Sequence, residues 1–183
     1  MSFHPSAPAD VRCIAEGDRR TLIFVRDLGH PAEKVWAALT DPAQLRAWSP
    51  YVADRDLGAP GDATATMMDG DEEADRLPLT VVRAEAPRLL EYTMQTDRLR
   101  WELEPTAAGT RLTLRHTVGD ADMLPRNAAG WHLCLDVLDR ALAGEPVAAL
   151  RGQMAMDHGW QQLHDAYAER LGVANPMSQR TPT

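Results

Sequence analysis

The strongest constraint on the fold is a change of period along the chain. Between Tyr51 and Val118 apolar and polar residues alternate in short runs separated by turn clusters. Immediately afterwards, from Met123 to Ala143, the apolar residues recur at helical spacing instead. The alternating part predicts strands over Tyr51–Leu57, Ala63–Met68, Leu77–Ala86, Arg88–Thr96, Asp97–Pro105 and Gly109–Val118. Gly58–Asp62, the acidic stretch Gly70–Asp75, Ala86-Pro87-Arg88 and Thr106–Gly109 supply the turns, and such short connections favour antiparallel pairing. In the helical part Leu124, Ala128, Trp131, Leu135, Leu138 and Leu142 share a stripe, with Cys134 and Ala141 beside it and Asp136, Asp139 and Arg140 opposite. Gly144 and Pro146 mark its stop. A half-apolar sheet followed by one apolar-striped helix buries both surfaces only if the sheet curves around the helix. The expected class is therefore α+β, a curved antiparallel sheet wrapped around a long C-terminal helix.

Upstream, Arg19–Leu28 alternates with apolar residues on both faces, as in a covered strand. Pro31 opens a helix carrying Val35, Trp36 and Leu39, and Thr40-Asp41-Pro42 ends it and starts a second short helix through Leu45 to Trp48. Downstream, Gly159–Leu171 reads as a final helix with Trp160, Leu163, Tyr167 and Leu171 on one face. Residues 1–17 read as a flexible leader with a short strand near Val11–Ala15, residues 18–172 as the single domain, and residues 173–183 as a disordered polar tail.

The formal charge of −8 argues against nonspecific binding to nucleic acid or an anionic membrane. No apolar run approaches the ~20 residues of a membrane span, and the N-terminus lacks a secretory pattern, so a cytoplasmic location is expected. Cys13 and Cys134 give neither a disulfide framework nor metal-ligand spacing. The six histidines are scattered, and no phosphate loop, dinucleotide glycine pattern or serine elbow is present. No metal and no cofactor are expected. Asp69-Gly70-Asp71-Glu72-Glu73-Ala74-Asp75 lacks the glycine placement and closing glutamate of a calcium loop and reads as a solvated turn.

Several segments together carry a family resemblance: Pro31-Ala-Glu-Lys-Val-Trp36-Ala-Ala-Leu-Thr-Asp-Pro42, Trp48-Ser-Pro50, Gly109–Thr117, Ala129-Gly-Trp131-His-Leu-Cys-Leu-Asp-Val-Leu138 and Trp160–Gly172. In this order the chain resembles the START-like (SRPBCC, Bet v 1-like) superfamily. Within it, the chain is similar to the branch named for the activator of the 90-kDa heat-shock-protein ATPase, the homologue-1-like proteins. The resemblance covers residues 17–172. It implies the helix-grip fold and a hydrophobic cavity. It does not imply chaperone regulation, which belongs to a protein with an additional domain.

The strand alternation says which side chains face that cavity. Leu99, Trp101 and Leu103 share one face of their strand, as do Leu112, Leu114, His116 and Val118, and Leu90, Tyr92 and Met94 of theirs. Met67 is preferred over Met68 as the inward residue of its strand. The expected cavity lining is Trp48, Met67, Tyr92, Met94, Trp101, His116, Trp131 and Leu135. The competing reading is that these residues only fill the core. Among them only His116 offers proton chemistry, as a general base or a donor to a ligand carbonyl, against the plainer reading of a hydrogen-bonded core histidine. His132, turned by about 100° from Trp131 on the helix, is expected to face solvent or an interface. The first functional reading is a noncatalytic module that binds a small hydrophobic ligand, lipid-like or aromatic. The alternatives are a polyketide aromatase/cyclase-like or hydrolase-like enzyme using the same cavity, and an interaction protein of the chaperone ATPase-activator type or a homodimer.

Overall fold

A computed structural model describes residues 3–145 and 147–173. Eight strands form one antiparallel sheet: β1 (Val11–Glu16), β2 (Arg19–Leu28), β3 (Tyr51–Ala53), β4 (Gly61–Asp69), β5 (Glu72–Glu85), β6 (Leu89–Met94), β7 (Asp97–Thr106) and β8 (Gly109–Val118). Their spatial order is β1-β2-β8-β7-β6-β5-β4-β3, so the last strand closes back onto β2. Two short helices, α1 (Ala32–Thr40) and α2 (Pro42–Trp48), lie between β2 and β3, and the long helix α3 (Leu124–Leu142) crosses the concave face. After it come α4 (Gln153–Asp157) and α5 (Trp160–Leu171). This is the helix-grip α+β architecture.

The strand faces follow the alternation. Leu99, Trp101, Leu103, Leu112, Leu114, Leu90 and Tyr92 are buried under α3, while Arg98, Arg100 and Arg115 on the outer face pair with Glu91 and Glu102. Asp41 caps α2 by accepting from the Ala43 amide, with Pro42 in the first turn. Gly144 ends α3 in the left-handed conformation (φ 78°), letting its own amide reach Ala141 O and that of Glu145 reach Arg140 O. Lys34, the sole lysine, donates to Leu142 O at 2.6 Å and so places a positive charge at the C-terminal end of α3. Gly109 (φ 146°) begins β8 so close to the loop after β2 that a Cβ there would stand 2.1 Å from Leu28 O. Only glycine fits that approach.

Four sequence expectations change. The leader over residues 1–17 is, from residue 3 onward, a packed segment: β1 pairs with β2 from Val11↔Phe24 to Glu16↔Arg19, and Phe3 is buried. The strand expected over Tyr51–Leu57 is only Tyr51–Ala53, because the chain turns where Asp54 and Asp56 accept backbone amides from Thr64 and Gly58. The acidic turn shrinks to two residues, and Glu72–Asp75 extend β5, whose exposed face tolerates their charge. His132, expected to face solvent or an interface, and Asp136, opposite the apolar stripe of α3, are buried. The stop attributed to Pro146 and the tail from residue 174 lie outside the described residues.

Candidate functional site

Two regions divide the interior of the grip. Its inner part is filled by aromatic side chains. Trp48 stands edge-on to Trp101 at 6.0 Å between ring centroids and Trp101 edge-on to Trp131 at 5.3 Å, the geometry that ring quadrupoles favour. The polar tips of this stack are satisfied internally. Trp48 Nε1 donates to Ala38 O at 2.9 Å, Trp101 Nε1 donates to the Tyr92 hydroxyl at 3.1 Å, and the Tyr92 and Tyr51 hydroxyls share a hydrogen bond. Burial pushes the Tyr92 phenol up to about 12 and Tyr51 well above its ordinary value. Both remain neutral donors at any ordinary pH.

Beyond this plug the packing opens into a cleft of about 370 Å³ between α3 and the sheet. Its walls are Met67, Met68, Leu77 and Met94 from the sheet, Gly130, Trp131, Leu133 and Cys134 from α3, and Leu150, Ala155 and Trp160 from the segment after it. Gln95, Asp97, His116, Arg126, Asn127 and Arg151 supply its polar groups. Of the residues expected to line a cavity, Met67, Met94, His116 and Trp131 border the cleft, whereas Trp48, Tyr92, Trp101 and Leu135 are packed core. Trp48, Tyr92 and Trp101 lie where facing aromatic rings meet, a distinction that the period of a single element does not contain. Met67 and Met68 both reach the cleft. A register shift in the β4–β5 pairing between Thr66 and Met68 lets consecutive residues do so.

His116 is the pivot of a three-residue chain. Trp131 Nε1 lies 3.1 Å from His116 Nδ1. An indole nitrogen only donates, so Nδ1 accepts and the imidazole proton sits on Nε2. That nitrogen lies 2.9 Å from Asp97 Oδ2, which takes the proton's hydrogen bond. Both ring nitrogens are therefore occupied, and the side chain is only 7% exposed. In this arrangement the imidazole has no free lone pair for a substrate proton. It instead orients Trp131, whose ring forms one wall. Cys134 also faces the cleft, but burial raises its thiol to about 12, so it is no nucleophile at neutral pH.

Sequence reasoning missed Arg151, which is 4% exposed in the coil after α3. Its Nε donates to Ser49 O at 2.8 Å, Nη2 to Arg46 O at 2.8 Å and Nη1 to Gly70 O at 3.3 Å. One side chain thus ties α2 and the β4–β5 turn to the cleft. Nothing in a lone arginine between two helices signals this. Gly130, by contrast, carries a legible signal, since glycine inside a strong helical pattern costs about 1 kcal/mol relative to alanine. A Cβ built there meets nothing within 4 Å. The bare backbone forms part of the cleft wall.

A second polar cluster lies on the other side of α3. Asp136 accepts from Ser6 N at 2.7 Å and Ser6 Oγ at 2.8 Å and pairs with Arg26 at 2.7 Å. His132 Nδ1 meets the Tyr167 hydroxyl at 2.8 Å, and that hydroxyl accepts from Ala9 N at 3.0 Å. Serine, histidine and aspartate are in contact, yet they do not form a hydrolytic triad: Ser6 and Asp136 both approach Nε2, at 3.2 and 3.3 Å, whereas a triad needs them on opposite nitrogens. The cluster fastens residues 3–10 across α3 and α5. Burial alone would raise the Asp136 carboxyl. Hydrogen bonds from His132 and Ser6 and the Arg26 charge outweigh it and hold the group well below the usual carboxylate range. A larger hollow of about 670 Å³, outside the grip, is bordered by Phe3, Arg140, Glu145, Met154 and His158. Arg140 stacks over Phe3 there at 4.4 Å. Among the described residues no group of three or more metal-ligating side chains is present, and no helix is long and apolar enough to cross a membrane.

The curved sheet, the gripped helix and the cleft between them define a START-like, helix-grip protein. The family described as activator of Hsp90 ATPase homolog 1-like protein matches residues 29–143, and the chain belongs to that family. Among solved structures, one similar fold is CalU16 from Micromonospora echinospora, with 24% identity, a TM-score of 0.63 and coverage of 87% of this chain and 92% of that one. A conserved protein of unknown function from Enterococcus faecalis has 20% identity, a TM-score of 0.66 and coverage of 90% and 92%. An AHSA1-like protein from Aeromonas hydrophila has 21% identity, a TM-score of 0.57 and coverage of 68% and 92%. At these identities the likeness concerns the fold. No curated protein matches the sequence.

Proposed function

We propose that this protein binds a small, largely apolar ligand, aromatic or lipid-like, in the cleft between α3 and the sheet, and that it does so without catalysis. The observation that carries this reading is an opening of about 370 Å³ in an interior otherwise packed with tryptophan and tyrosine. That volume equals roughly a dozen waters at ~30 Å³ each, which suits a two-ring aromatic or a medium acyl chain. Three methionines give the walls a soft, adaptable surface, and Trp131 offers a flat one. Apolar walls with a few placed polar groups are the usual make-up of a small-molecule site. The binding reading is favoured over a cyclase or hydrolase because His116 has both nitrogens engaged and Cys134 is held as a neutral thiol. Native mass spectrometry of freshly purified protein tests it. The expected result is a mass in excess of the chain that disappears on denaturation, or one equivalent of an added naphthalene-type compound taken up by the emptied protein. A protein that carries nothing and takes up no apolar compound contradicts the proposal.

A further inference from the structure

We propose that the ligand of this cleft carries an anionic group, a carboxylate or a chemical equivalent, that pairs with Arg151, while its apolar body lies along the methionine–tryptophan walls. This inference rests on the binding reading above and names the ligand's chemical class.

Arg151 is almost fully buried, and a buried cation is costly unless an anion or a full set of hydrogen bonds faces it. Among the described residues no carboxylate lies within ion-pair distance of its guanidinium, although the chain carries 27 acidic residues against 19 basic ones. Its surroundings are backbone carbonyls. The bonds to Ser49, Arg46 and Gly70 use three of the five N–H donors of the guanidinium. One N–H is left on each terminal nitrogen, the number that a bidentate carboxylate takes. Burial lowers the pKa of this arginine from its ordinary value. The Cys134 thiol, where ionised, acts against this, the Arg46 charge acts in the same direction, and the Asp71 charge acts against it. The cation is thus short of negative charge where it stands.

Arg151 acts electrostatically on Cys134, and both border the cleft. Arg126, Gly130 and Cys134 follow at four-residue steps along α3, so the cleft extends about 12 Å along the helix. Arg126 stands exposed at the opposite end, in the first turn, where the helix dipole is already positive, and has no ion-pair partner among the described residues. An anion in the cleft has the Arg126 cation at one end and the buried guanidinium of Arg151 at the other. Asp97, the carboxylate at the cleft, is engaged by His116, with its side chain 32% exposed. The distance along α3 matches a ligand about two fused rings long.

The test uses two probes of the same shape, 2-naphthoate and its neutral isostere 2-naphthamide, titrated into the full-length protein at neutral pH by calorimetry. The expected result is one site that binds the carboxylate at least tenfold tighter than the amide, with Arg126→Gln weakening naphthoate a few-fold and leaving naphthamide unchanged. Equal affinities, or tighter binding of the amide, overturn the anion inference and leave the apolar-ligand reading standing. Failure of both probes to bind overturns both. Arg151→Lys, which keeps the charge and loses the fork, is expected to abolish the preference while near-ultraviolet circular dichroism stays native. If that variant is native and the preference survives, Arg151 is not the receiving group.

Discussion

Replacement of Gly130 separates a ligand cleft from ordinary core packing, because the two make predictions of opposite sign. In a packed interior an added side chain costs typically 1–3 kcal/mol through displaced neighbours. At Gly130 a Cβ meets nothing within 4 Å, and the residue sits within the 19-residue helix α3. Gly130→Ala therefore recovers the helix preference of alanine, about 1 kcal/mol, with no clash to set against it. For a domain of this size that is a rise in Tm of roughly 2–4 °C. Gly130→Leu adds apolar carbons to the cleft wall at up to ~0.8 kcal/mol per buried methylene, offset by about 0.5–1 kcal/mol of lost rotamer freedom, so it is neutral or stabilising. Its side chain occupies the space a ligand would use. Urea denaturation gives the stability and calorimetric titration with 2-naphthoate gives the affinity. The expected pattern is stability that is level or raised through the series Gly, Ala, Leu and affinity that falls along it. If Gly130→Ala destabilises by more than 1 kcal/mol, the space beside the helix is not open and the reasoning fails.

Other substitutions and titrations test the framework around the cleft. Asp136→Asn should cost about 3 kcal/mol, since it leaves Arg26 and the His132 network without their anion. Because the folded carboxyl lies below its unfolded value, its contribution is fully present above about pH 4 and disappears as the pH falls further. Acid unfolding followed by circular dichroism should therefore be less steep in the variant than in the natural protein, and equal steepness contradicts this. Gly109→Ala should destabilise by well over 1 kcal/mol through its contact with Leu28 O and its positive φ, and a variant that melts with the natural protein counts against the register. In an alkaline absorbance titration Tyr51 and Tyr92, held above their ordinary range by burial, should ionise only together with unfolding. A tyrosinate signal of more than one residue near pH 10, before unfolding, contradicts the closed aromatic plug, because Tyr167 lies outside it.

Much of this architecture was legible because alternation and helical period are local signals with a tertiary meaning. The inward faces of β6, β7 and β8 and the stripe on α3 follow from them directly. So does the stop at Gly144, where a left-handed residue is needed. Closure of the sheet through β2 and β8 is a long-range pairing that no window of sequence contains. The candidate site divides the same way. Met67, Met94, His116 and Trp131 could be named because each sits at an inward position of a regular element. Trp48, Tyr92 and Trp101 obey the same rule yet fill the core, since only the meeting of their rings decides between wall and plug. The sequence pattern puts His132 and Asp136 outside the apolar stripe of α3 because it assumes one covered face. Residues 3–10 and α5 cover the other, and its polar groups are satisfied by Ser6, Tyr167 and Arg26. Arg151, in an aperiodic coil, acts through backbone carbonyls that carry no sequence signature.

The most direct measurement maps the ligand onto the chain's own methionines. In protein labelled with ¹³C at the methionine methyl groups and titrated with 2-naphthoate, ring-current shifts should appear at Met67, Met68 and Met94, which border the cleft. Met123 and Met156, exposed elsewhere, and Met154, which borders the outer hollow, should stay in place. Shifts concentrated at Met154, or no shifts at the three cleft methionines at saturation, would contradict a ligand site between α3 and the sheet.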